Sequence, residues 1–359
     1  MKKILKLGIT HGDINGISYE IILKALSDTM ILDFCTPIIY GSPKVLSFYK
    51  KMFDFSSLNI PTIRTAQDAT EGKMYVINTC GDDIKIEPGK QSIESGELAL
   101  QALEAATKAL ADGEIDVLVT APINKSTIQS DRFNFPGHTE YLEQIAGAES
   151  IMMLTSDNVR VALATNHTPI SKISQTLSKE LILHKLQMFH KSLVEDFCIT
   201  CPRIAVMGLN PHASDNGLLG SEEQDIIIPA INEANEQGIT ATGPLSADGF
   251  WGSGAFSRYD GILAMYHDQG LAPFKALFQD TGVNFTAGLP FIRTSPAHGT
   301  AYDLAGKNTA SPNSLLKAIY MAIDIHRNRL QYAELSANRL QEEKVETVDI
   351  PYSNPNAIH

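Results

Sequence analysis

Short apolar runs that break off into His, Gly, Asp or Asn alternate, along most of this chain, with stretches whose apolar residues recur at helical spacing. No other feature constrains the fold as much. Strand–helix alternation favours parallel sheets with helices on both faces. The clearest case lies in Gly261 to Lys307, where Ile262-Leu263-Ala264-Met265 runs out into Tyr266-His267-Asp268-Gln269-Gly270. Ligands of open α/β sheets bind just beyond the carboxyl ends of strands, so this segment predicts the floor of an active site.

In chain order, the pattern predicts strands at Ile4 to Ile9, Pro37 to Tyr40, Met74 to Ile77, Asp116 to Thr120, Ile151 to Thr155, Val159 to Thr165, Ile204 to Leu209, Ile262 to Tyr266 and Leu289 to Ile292. Helices are predicted through Glu20 to Leu26, Val45 to Lys51, Ser95 to Ala111, Ser174 to Phe197, Glu222 to Gln237 and Ser314 to Leu330, the last with an extension toward Leu340. Ser95 is the expected cap of its helix, and Gly113 the expected stop. The opening Met1 to Asp13 starts like a signal peptide, but its apolar stretch breaks at His11-Gly12-Asp13 and reads as a first strand.

A chain of 359 residues exceeds one hydrophobic core, so two domains are expected. No apolar run is long enough to cross a bilayer, which argues against a membrane partner. Four cysteines supply no disulfide framework and point to a reducing cytoplasm, with Cys198 and Cys201 read as ordinary thiols. The net charge of −12 argues against nucleic acid. An anionic ligand would need local positive charge, for which Lys125, Lys275 and Arg293 are the candidates.

Three strands end alike, in Asn166-His167, in Asn210-Pro211-His212 and in Tyr266-His267. Parallel pairing would set all three imidazoles at one edge of one sheet, or where two sheets meet, and neutral imidazoles suit zinc, cobalt or nickel with positions left open for substrate. The alternative is three hydrogen-bonding or surface histidines. Asp248 and Asp268 could orient the ligands. His138 and Thr139 could meet a phosphate or carboxylate at a helix N-terminus, although spacing alone favours Thr139 as a cap. Gly12 and Gly16, flanking Asp13 and Asn15, resemble a phosphate loop but match neither the Walker pattern nor GxGxxG, and read as a strand-to-helix turn. No GxGxxG follows any strand, so a standard dinucleotide fold is not indicated.

Seven motifs then fall into one order: APINK (Ala121 to Lys125), GHTEYL (Gly137 to Leu142), TNH (Thr165 to His167), GLNPHA (Gly208 to Ala213), GPL-AD (Gly243 to Asp248), YHDQGLAPFK (Tyr266 to Lys275) and HGTAYDLAGK (His298 to Lys307). Together they closely resemble the 4-hydroxythreonine-4-phosphate dehydrogenase family of vitamin B6 synthesis, over nearly the whole chain. The resemblance implies an isocitrate/isopropylmalate-dehydrogenase-like α/β fold, two α/β/α domains around a central cleft. The expected division is residues 1–130 with 285–345 as the outer, cofactor-side domain, 131–284 as the inner domain, and 346–359 as a loose tail.

The resemblance further implies a homodimer whose site uses both subunits. It implies a divalent metal (zinc, alternatively cobalt, magnesium or nickel) on His167, His212 and His267, the last reaching across from the partner chain. Substrate contacts carry over to His138, Thr139, Lys275, Asn284 and Arg293. NAD or NADP is expected near His298, Gly299, Thr300 and Asp303. Asp248, Asp268 and Lys275 are the catalytic candidates, and the general base stays open among the two aspartates and a water at the metal. The expected substrate is a small phosphorylated hydroxy acid, oxidised and then decarboxylated. Alternatives are a D-threonate or D-erythronate 4-phosphate dehydrogenase and, more distantly, a phosphate acyltransferase of the same fold.

The chain departs from the family pattern at Asn15 and its neighbours, where GDINGISYE replaces GDPAGIGPE. Further departures are Ser214-Asp215-Asn216, where the family is Gly-rich, Ala297 in place of an acid, and Asn308 in place of glycine. These bear on fine substrate choice.

Overall fold

The computed structural model describes residues 5–81, 83–135 and 137–337. The expected tail at 346–359 and the helix extension beyond 337 lie outside the described residues. The strands are β1 Leu5–Thr10, β2 Cys35–Gly41, β3 Thr62–Ile63, β4 Tyr75–Asn78, β5 Val117–Thr120, β6 Ile151–Ser156, β7 Val159–Leu163, β8 Ile204–Met207, β9 Ala241–Leu245, β10 Gly261–Ala264, β11 Val283–Ala287 and β12 Ile292–Pro296. The α-helices are α1 Ser18–Leu26, α2 Pro43–Met52, α3 Ile93–Ala111, α4 His138–Ala146, α5 Ile173–Thr176, α6 Lys179–Glu195, α7 Ile228–Glu236, α8 Ala247–Gly252, α9 His267–Phe278 and α10 Asn313–Ser336.

All twelve strands form one sheet, in the order β3-β4-β2-β1-β5-β12-β11-β6-β7-β10-β8-β9. Both flanks are parallel, while the centre is antiparallel where β11 meets β12 and β6, and where β6 meets β7. Every residue of β2, β5, β8 and β10 is buried. Such continuous apolar strands need helices on both faces, which is why alternation was visible in the sequence. Strands rotate by roughly 20–25° from one to the next, so the two flanks leave a common plane. A cavity opens over the central strands, and β11 spans the expected domain boundary at 284/285.

Several elements differ from expectation for local reasons. The strand expected at Leu289 to Ile292 is displaced: Leu289 to Phe291 belong to the connection turning β11 into β12, and Ile292 is the first residue of β12. Helix α3 is capped by Ser92, whose hydroxyl accepts from the Ser95 N–H, so Ser95 is already inside. The long helix predicted from Ser174 to Phe197 breaks at Leu177, and Ser178 caps a new start by accepting from Leu181 N–H. The predicted helix from Glu222 opens as a π turn, Glu223–Ile227, ahead of Pro229, which has no N–H to give a regular turn. The strand before His267 ends at Ala264, and His267 itself begins α9.

The first loop is held by a buried imidazole. His11 is fully buried between Tyr19 O–H (2.9 Å) and the Leu98 carbonyl (3.0 Å). Burial pulls it from 6.5 down to about 4, against a small opposing effect of the carbonyl. The unfolded chain therefore takes a proton below pH 6.5 that the folded chain refuses until about pH 4. This contribution to stability is complete above 6.5 and shrinks as pH falls toward 4, by about 3 kcal/mol. Urea midpoints of wild type and His11→Gln at pH 7 and pH 4.5 check this: the variant should lose less on acidification, and equal losses would contradict it.

Candidate active site

Alternation along three adjacent strands builds the floor. Side chains two apart share a face, so Met152 and Leu154 of β6, Asn284 of β11, and Arg293 and Ser295 of β12 all line one cavity of about 250 Å³. The ends of β5 and β12 supply Lys125, His298 and Gly299 to its rim, and α4 supplies His138, Thr139 and Glu140. From the other flank come His167, beyond β7, and His267 and Lys275 on α9. The volume suits a small metabolite, not a polymer.

Arg293 is the most constrained group here. It is 2% exposed, and its partners are hydroxyls: Nε and Nη2 donate to Thr120 Oγ1 at 3.0 and 2.6 Å, and Nη1 to Thr286 Oγ1 at 3.1 Å. Burial pulls the guanidinium down to about 9, partly offset by the Glu140 charge, so it stays charged at neutral pH. A buried cation without a bonded carboxylate is costly unless an anion completes it. Lys125 and Lys275 line the same cavity, so the three positive charges expected from the sequence meet. His138 is held neutral, far below its usual value, by burial and by the charges of Arg293 and Lys125.

Ten buried side-chain polar atoms lack a hydrogen-bond partner among the described residues, and four of them face this cavity: His138 Nε2, Glu140 Oε2, Asn284 Oδ1 and His298 Nε2. Unpaired buried polar groups are rare, and four around one space mark a site built for a polar ligand.

The histidines divide two and one. His167 and His267 have ring centroids 5.8 Å apart. Each has Nδ1 occupied by a carboxylate, His167 by Glu140 Oε1 at 3.1 Å and His267 by Asp268 Oδ1 at 2.7 Å. That leaves both Nε2 atoms free, the arrangement by which carboxylates orient metal-binding imidazoles. The donor pair thus fits a divalent cation, yet no third His, Cys, Asp or Glu completes a set among the described residues. His212 follows β8, which pairs with β10, but it is exposed and does not line the cavity. The imidazole that stands apart is therefore His212, in place of the His267 expected to reach across. Asp248, also exposed, lies near it: a hydrogen bond from the Ser246 hydroxyl chiefly, and His212 to a lesser degree, hold its carboxyl below the usual range.

Thr139 is not the cap of α4. Gly137 is, and Thr139 is buried in the first turn. Thr300 does not line the cavity, and its carbonyl accepts from Ile17 N–H at 3.0 Å. A side chain at Gly16 would meet that carbonyl at 2.7 Å, which explains the glycine. Asp303 is exposed and outside the cavity, as are Asp248 and Asp268. Sequence reasoning assigned no role to Glu140, although it sits inside a quoted motif, nor to Thr120 and Thr286, which carry no local signal.

Fold and site together define an α/β protein whose cavity gathers three positive side chains beside two carboxylate-oriented imidazoles. The model of the pyridoxal phosphate biosynthetic protein PdxA matches residues 33–322, and this chain belongs to that family. It is 54% identical over 347 residues to a 4-hydroxythreonine-4-phosphate dehydrogenase of Bacteroides thetaiotaomicron, covering 96% of this chain and 95% of that one. A putative D-threonate 4-phosphate dehydrogenase of Oceanobacillus iheyensis is 38% identical, with 90% and 98% covered. The solved structure of a putative 4-hydroxythreonine-4-phosphate dehydrogenase from Salmonella typhimurium superposes with a TM-score of 0.78 at 34% identity, covering 90% of this chain and 100% of that one.

Proposed function

We propose that this chain is the dehydrogenase that oxidises 4-phosphooxy-L-threonine in vitamin B6 synthesis. The secondary hydroxyl loses hydride and proton to give a 3-oxo acid, whose carboxylate leaves as carbon dioxide, yielding 3-amino-2-oxopropyl phosphate. The observation that carries this reading is one cavity holding both an unneutralised buried guanidinium and an imidazole pair with free Nε2 atoms.

Arg293 offers a planar fork to one anionic end of the substrate, and Lys125 and Lys275 add charge at the rim. Asn284 Oδ1 accepts from a substrate N–H or O–H. His138, kept neutral, gives its Nε2 to a hydrogen bond with the ligand. His167 and His267 hold a divalent cation together with the partner subunit's His212, since the third imidazole of one chain is turned outward. Leu218 and Leu219, on the same loop as His212, are 77% and 42% exposed, as residues covered by a second copy would be. The cation, zinc or a similar ion, supplies Lewis acidity at the reacting hydroxyl. NAD or NADP, as hydride acceptor, lies against His298 and Gly299, where Gly299 has open space on its side-chain side. Among the described residues no helix is long and apolar enough to cross a membrane, in keeping with a cytoplasmic homodimer of two lobes divided near residues 130 and 285.

A second reading, D-threonate 4-phosphate as substrate, is favoured by the Oceanobacillus relative. Purified protein assayed for NADH with each phosphorylated acid, with and without EDTA, separates them. The expected result is chelator-sensitive nucleotide reduction with the amino acid. Faster turnover of the threonate would transfer the assignment, and no reduction of NAD or NADP would end both.

A further inference from the structure

His212 and His267 follow neighbouring parallel strands, β8 and β10, and two buried side chains hold the backbone between each strand and its imidazole. Gln269, in the first turn of α9 and 9% exposed, accepts from Met265 N–H at 2.7 Å and donates to the Gly208 carbonyl at 2.5 Å. It bridges the roots of the two loops. Glu223 is wholly buried. Its Oε1 accepts from the N–H groups of Leu209 and Asn210, both at 2.8 Å, and its Oε2 accepts from Asn210 Nδ2 at 2.9 Å. Hydrogen bonds to a carboxylate are stronger than neutral ones, so this is a firm anchor.

The anchor has a reason. Beyond Pro211 the backbone passes through five consecutive non-glycine residues at positive φ, from His212 to Asn216, with values of 54, 50, 67, 45 and 56°. L-residues avoid that region, and a run of them does not hold itself. The turn that presents His212 therefore depends on what grips its base. Glu223 sits in the π turn, a widened geometry often found at functional sites. A side chain at Gly208 would meet Ala213 at 3.0 Å and Glu223 Oε1 at 3.1 Å, so strand end, turn and anchor are in direct contact.

We infer that Glu223 and Gln269 are positioning residues for metal binding: Glu223 fixes the left-handed turn that carries His212, and Gln269 ties its root to the root of His267. Neither side chain touches the metal in this scheme. The inference rests on the reading of His167, His212 and His267 as ligands.

The test uses the full-length protein stripped of metal and titrated with cobalt(II) alone, read by its d–d absorption and by competition with a chelator, alongside thermal unfolding. Glu223→Gln preserves shape but replaces an acceptor facing the Asn210 amide with a donor. Gln269→Leu removes the bridge at similar size. Both should bind cobalt about 10- to 100-fold more weakly than wild type, with a changed spectrum. Asp196→Asn is the control for destabilisation alone, because Asp196 is equally buried but bonds Ser192 and Arg329, outside the site. It should lower the melting temperature and leave cobalt affinity intact. His212→Ala should lose the cobalt spectrum. If His212→Ala binds cobalt like wild type, the ligand reading fails. If it loses cobalt while Glu223→Gln and Gln269→Leu keep wild-type affinity, the positioning role is wrong and the ligands stand. Should Glu223→Gln not fold, Gln269→Leu decides.

Discussion

Arg293→Met lowers kcat/KM by about 30- to 4,000-fold, the range expected from removing one partner of a buried charged pair worth 2–5 kcal/mol, yet it does not destabilise the fold. The two effects separate because of where the residue sits. In the free protein the guanidinium is desolvated and bonded only to the Thr120 and Thr286 hydroxyls, so it opposes folding until an anion arrives. An apolar side chain of similar length removes that cost, and such replacements of buried charge are often neutral or stabilising by about 1–4 kcal/mol. A thermal melt and a substrate titration on one preparation check both parts. A variant that melts far below wild type would make Arg293 a structural residue, and one with unchanged kcat/KM would remove it from the substrate's path.

His212→Ala abolishes turnover, by at least about 10³-fold if the cation supplies several kcal/mol to the transition state, and leaves the chain folded because the imidazole is exposed. His267→Ala does the same from within the cavity. Mixing the two inactive proteins and allowing subunits to exchange discriminates the arrangement. If a site takes His167 and His267 from one chain and His212 from the other, each heterodimer regains one intact site, and activity returns to roughly a quarter of wild type. If all three ligands came from one chain, no mixture would recover.

The sequence departures acquire physical meanings once the backbone is known. Ser214, Asp215 and Asn216, in a stretch where the family pattern is Gly-rich, and Asn308, where glycine is usual, all have positive φ. They mark left-handed backbone rather than altered chemistry. Asn308 is also among the side chains that tolerate that region best, and its carbonyl accepts from Lys24 Nζ at 3.1 Å. Asn15 stitches the first loop to the segment before α3, its Oδ1 accepting from Glu87 N–H at 2.8 Å and its carbonyl from Gly89 N–H at 2.8 Å. Only Ala297 lines the cavity itself. There the absence of an acid leaves the positive groups less opposed.

The α/β class and most of the strand and helix order were legible in the sequence, because apolar periodicity is a local property that tertiary packing then uses; the adjacency of the strands leading to His167, His267 and His212 came with the structure. The seven motifs likewise named most of the cavity's lining. What periodicity does not encode is which ends face each other. The antiparallel centre of the sheet was missed because β11 and β12 mix polar with apolar residues, and the apolar connection between them reads like a strand. The partnership of Arg293 with Thr120 and Thr286, and of His167 with Glu140, joins residues distant along the chain. The separation of His212 from the other two imidazoles depends on a left-handed turn held by the carboxylate of Glu223, farther along the chain. Local pattern decided what each segment is. The twist of one continuous sheet decided which side chains meet, since distance through space, not spacing along the chain, sets the electrostatics of the site.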